Sequence, residues 1–108
     1  MKTTFAFALI LVLALAVAVA QSSQGAANPR LSKGADLIIA RCSACHGWAA
    51  DYDSLMASGG IVPGKPGSSV VWTMISSGRM PRGGPAFTSN ERKLVYDWIV
   101  AGAPRPAQ

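Results

Sequence analysis

The residues with the most chemistry in this chain are Cys42-Ser43-Ala44-Cys45-His46. They read C-x-x-C-H, the spacing at which two thiols and an imidazole hold a c-type haem. Each thiol can add to one vinyl group and form a thioether. Two intervening residues let both thiols reach neighbouring vinyls on one porphyrin edge. The imidazole that follows then lies under the iron as its fifth ligand. The chain has 2 cysteines and 1 histidine, so this motif uses all of them. A plain dithiol or a disulfide could use the same C-x-x-C pair, although the strand signal that a thioredoxin-like framework needs is poor. A zinc site would want about four ligands, and three stand side by side here.

With no second imidazole, the sixth ligand would come from Met56, Met74, Met80, a lysine, or remain an open position. Met80 is the favoured choice. It lies in Gly78-Arg79-Met80-Pro81, a non-helical segment, and a residue before proline is pushed toward extended backbone. Such a segment can present a side chain across the opposite haem face. Met74 reads as core within a helix beside Trp72, and Met56 as loop or core. A thioether opposite an imidazole raises the iron potential and leaves no free position for oxygen chemistry.

The elements that must position these groups are helices and loops. Met1-Lys2 is a short positive start, Phe5 to Ala20 is an uncharged apolar run, and Ala18-Val19-Ala20 is a cleavage signature. Residues 1–20 therefore read as a secretory signal peptide. The run is slightly short for a membrane span, so membrane association is expected only if it stays uncleaved. Residues 21–30 read as a flexible leader and 31–108 as one small domain. Ser32 can cap a helix to about Arg41. Glycine and proline mark 47–67 and 78–87 as loops, with one turn expected near Asp53 to Ala57. A second helix is expected from a cap at Ser68 or Ser69 through Ile75, stopping near Gly78. Thr88-x-x-Glu91 is a capping box opening a third helix to about Ala101, with Gly102 as its stop. Loops this long in a small domain suit wrapping something. A covalent haem would also supply apolar surface that a core this small lacks.

The chain carries 10 basic and 5 acidic residues, a formal charge of +5, and loss of Lys2 with the signal lowers this by one. The basic residues are scattered, so no nucleic-acid partner is expected. A moderately basic surface suits redox partners with acidic docking faces. Of the aromatics, Trp98 reads as core from its place on an apolar helix face. Trp72 stands between core and propionate partner. Trp48 and Tyr52 could also meet a haem.

Taken together, Gly34, Cys42-Ser43-Ala44-Cys45-His46-Gly47, Val62-Pro63-Gly64-Lys65-Pro66, Ser69, Gly78-Arg79-Met80-Pro81 and Trp98-Ile99-Val100-Ala101-Gly102-Ala103-Pro104 resemble a small class I c-type cytochrome. The closest pattern is the planctomycete-type cytochrome c domain, with a shorter stretch here between Ser69 and Met80. The resemblance implies an all-α, cytochrome c-like crevice fold, with three main helices and long loops around one haem c. It implies that the first and last helices cross at Gly34, with Ile38 against Val95 and Trp98. It also implies a backbone carbonyl near 61–63 for the His46 Nδ1–H. Cys42 and Cys45 would attach the haem, with His46 and Met80 on the iron. The expected role is one-electron transfer between exported, periplasmic redox partners, such as a dehydrogenase or terminal oxidase, with no bond chemistry of its own. The rival expectations are an open-site haem enzyme or sensor, and a relay subunit of a dehydrogenase complex.

Overall fold

The computed structural model describes residues 29–107. The expected signal peptide, residues 1–20, and residues 21–28 of the expected leader lie outside them. Among the described residues there are four α-helices and no strand, so the domain is all-α. They are α1 (Pro29–Cys42), α2 (Tyr52–Ala57), α3 (Val70–Ser76) and α4 (Ser89–Val100), with 3-10 turns at Gly47–Ala49 and Pro66–Ser68. None of these helices is long and apolar enough to cross a membrane.

Helix α1 starts at Pro29, earlier than a cap at Ser32 would place it, so residues 29 and 30 belong to the helix and not to a leader. Proline is tolerated there because a first-turn N–H has no intrahelical partner. Leu37, Ile38 and Ile39 follow, and the buried positions Ala35 and Ile38 form one stripe. Cys42 lies four residues beyond Ile38, so the same stripe carries it to the edge of the core.

The crossing of α1 and α4 sets the whole arrangement. A Cβ built on Gly34 would sit 2.8 Å from the Leu94 carbonyl oxygen and 2.9 Å from Trp98 Cγ. Only glycine lets the two backbones approach this closely. Ile38, Val95, Trp98 and Ile99 are completely buried around the crossing, with Leu55 and Phe87 in the same cluster. The expected packing of Ile38, Val95 and Trp98 is thus in place.

Helix α4 begins at the expected capping box. Thr88 Oγ1 accepts from Glu91 N at 3.1 Å, and Glu91 Oε1 accepts from Thr88 N at 2.9 Å. The helix stops at Gly102, whose φ of +98° is left-handed. The tail then folds back. Trp98 Nε1–H donates to the Pro104 carbonyl at 2.9 Å, the Tyr52 hydroxyl donates to the Ala103 carbonyl at 2.7 Å, and Arg105 pairs with Asp53. Tyr52 is therefore a latch between α2 and the C-terminal tail.

Ser69 is the N-cap residue of α3, one of the two positions expected, but its side chain makes no capping bond. Its hydroxyl is buried and binds residues before it, donating to the Lys65 carbonyl at 2.9 Å and accepting from Val62 N at 2.9 Å. It closes the 62–65 loop, and Gly64 N–H fastens that loop to the Ile99 carbonyl at 2.7 Å.

Candidate functional site

The last turn of α1 runs directly into the cysteine motif. Ser43 N–H bonds the Ile39 carbonyl at 3.1 Å, and the Cys42 carbonyl takes N–H bonds from both His46 at 2.9 Å and Cys45 at 3.3 Å. This closed turn holds two free thiols, Cys42 half-buried and Cys45 exposed. Burial pushes the Cys42 thiol up, with the Arg41 charge opposing it. A reactive dithiol wants the opposite, a thiolate held low by its surroundings. At His46 the backbone turns extended (φ −125°, ψ 114°) and leaves the helix. The imidazole stacks on Trp48, ring centroids 5.0 Å apart and planes 29° apart. Trp48 is fixed by its short turn, whose Ala49 is completely buried.

This motif forms one wall of a cavity of about 680 Å³, with Cys42, Cys45, His46 and Trp48 all on it. A second wall is the apolar face of α3, with Val70, Val71, Met74 and Ile75. Gly60 completes it, because a Cβ there would meet Val71 Cγ2 at 2.7 Å, and its carbonyl accepts from Val71 N at 3.1 Å. The third wall is the segment from Met80 to Pro85. Helix α3 ends at Gly78 (φ +77°), whose N–H bonds the Ile75 carbonyl at 3.3 Å. The chain then doubles back, and Met80 N–H bonds the Met74 carbonyl at 3.1 Å; the Met80–Pro81 peptide is cis.

All four residues expected at the site, Cys42, Cys45, His46 and Met80, therefore line one cavity although they come from two distant segments. Three other expectations change. Met74, expected in the core, is on the cavity wall, so two thioethers reach it; Met56 is half-buried against the core instead. Trp72 packs against Tyr96 with ring centroids 5.4 Å apart and away from the cavity, which leaves Trp48 as its aromatic. Residues 61–63 are not on the cavity wall either. The Val62 carbonyl accepts from Lys65 N at 3.0 Å, and among the described residues no hydrogen bond joins His46 to this stretch. Sequence reasoning did not single out Gly60 or Arg41, which show only as loop composition and as one of several scattered charges, and it read Ser69 as a helix cap without seeing its bonds to the preceding loop.

The cavity is largely apolar and of a size that could hold a cofactor. Its volume falls within the ~300–1,000 Å³ common for bound small molecules and cofactors. Its mouth carries two thiols with no disulfide between them. Among the described residues, no three His, Cys, Asp or Glu side chains converge to hold a metal ion directly, which leaves the zinc reading without support. The chain matches no family model, no curated protein and no solved structure.

Proposed function

We propose that this chain is a monohaem c-type cytochrome with a cytochrome c-like crevice, working as an exported one-electron carrier. The observation that carries the reading is the convergence of Cys42, Cys45, His46 and Met80 on one largely apolar cavity. A bound haem would supply the Fe(III)/Fe(II) couple. Cys42 and Cys45 would hold it by thioethers at the cavity mouth. His46, steadied by its stack on Trp48, would ligate one face of the iron. Met80, anchored through its N–H to α3, would ligate the other. The apolar α3 face of Val71 and Ile75 would limit water beside the haem, which would disfavour the more highly charged ferric state and raise the potential. Cys45 is exposed, so the attached edge is where electrons would pass to a partner. A net positive chain favours acidic docking faces on redox partners.

Absorption spectra of protein exported from a host that attaches haem test this reading. We expect covalent haem that survives acid-acetone extraction, and a low-spin oxidised form with the weak far-red band of thioether-to-iron coordination. That band should vanish in Met80→Ala. Its survival there would transfer the ligand role to the neighbouring Met74. A high-spin wild type that binds added ligands without delay would indicate an open-site haem protein instead.

A further inference from the structure

The cavity's third wall is held by very little of its own. Among the described residues, one hydrogen bond reaches residues 81–86, and it comes from the Arg41 guanidinium to the Pro85 carbonyl. Gly83 is left-handed and Gly84 follows it, and no helix spans this stretch to hold it by backbone bonds. Arg41 is on the opposite wall, in the last turn of α1 and next to Cys42. Its side chain is fixed on two further sides. The guanidinium carbon stands 4.6 Å over the centroid of the buried Phe87 ring. Nη1 stands 3.4 Å from Glu91 Oε2, with both side chains about three-quarters covered. Glu91 is itself held by the Thr88 capping box. A guanidinium positioned by Phe87 and Glu91 can give another of its donors to Pro85 at little further entropic cost.

The geometry points to Arg41 as the positioning residue for Met80: it ties the distal segment to the attachment helix and sets how often Met80 can leave the iron. This rests on the haem reading above. Arg41 touches no iron ligand in this account and acts through the Pro85 carbonyl. Loss of this charge-assisted hydrogen bond should let the segment open about tenfold more often.

The test is imidazole binding to the oxidised, haem-loaded protein, followed by stopped flow at saturating imidazole, where opening of the distal segment limits the rate. Arg41→Met keeps the apolar stem on Phe87 and removes every donor. We expect its limiting rate to rise about tenfold, with the far-red band weakened. Glu91→Gln keeps the capping box and the Pro85 bond while deleting the ion pair, and should stay within about threefold of wild type. Thr88→Ala destabilises the same helix end with the tether intact and should do likewise. An unchanged rate in Arg41→Met would overturn the inference while leaving the haem reading intact. An equal rise in Thr88→Ala or Glu91→Gln would also overturn it, by showing that general stability or charge sets the rate. Wild type lacking covalent haem would remove the functional reading and this inference together.

Discussion

Gly34 is where a single hydrogen atom decides the packing. A methyl group there would press on the Leu94 carbonyl and the Trp98 ring, neither of which can yield, because Trp98 is completely buried and its indole N–H is bonded to Pro104. Gly34→Ala should cost ~1–3 kcal/mol by overpacking, measured as a lower denaturant midpoint. An unchanged midpoint would mean that the helices do not cross here. Met80 is the other position where one side chain matters most. Met74 lines the same cavity from the α3 wall, so the pair Met80→Ala and Met74→Ala separates the two thioethers: the first should lose the far-red band and the second keep it. The grouping of Cys42, Cys45 and His46 was legible in the sequence because it is local, with two thiols and an imidazole inside one turn. Arg41 was not, since Phe87, Glu91 and Pro85 become its neighbours only after α1 and α4 cross.

At the scale of elements, α4 shows how a helix end can govern behaviour in acid. The Thr88 backbone N–H holds the Glu91 carboxyl below its ordinary value of 4.5, with help from the Thr88 hydroxyl and the Arg41 charge. A depressed carboxyl favours the fold wherever it is ionised. The contribution is present above the ordinary value and fades as pH falls below it through the folded-state value. Thr88→Ala should lower stability by ~1 kcal/mol at neutral pH. The stability difference between wild type and Glu91→Gln, which removes the ionised carboxyl itself, should shrink in acid, as melting curves across that pH range would show; a constant difference would contradict the assignment. The capping box and the Gly102 stop could be read in advance because they are local backbone chemistry. Ser69 could not. As a serine before an apolar run it looks like a cap, yet its hydroxyl is taken by Val62 and Lys65 on the preceding loop. The turn near Asp53 is likewise a whole helix, α2, because Asp51 caps it and the tail latches onto Tyr52.

For the whole molecule, the cavity is the dominant fact. A small all-α domain that carries an open crevice of about 680 Å³ has traded core for crevice. Domains of this size have little stability to spare, and an apolar ligand bound only by the folded state adds to it. The haem-free polypeptide should therefore show weak or absent cooperative melting by circular dichroism, and the exported, loaded protein a clear transition. Equal melting of the two would mean that the fold does not depend on the cavity's occupant. All-α architecture was legible from helix periodicity and from loops too long for an empty small domain. The crevice was not, because it depends on Gly60 and Ser69 folding one loop against α3 while Arg41 draws another across the mouth. The central claim is that Cys42 and Cys45 carry haem. The most direct measurement is the intact mass of the denatured, exported protein. The account predicts the chain mass plus one haem, lost in a Cys42→Ala, Cys45→Ala double variant; a wild-type chain at bare polypeptide mass with two titratable thiols would contradict it.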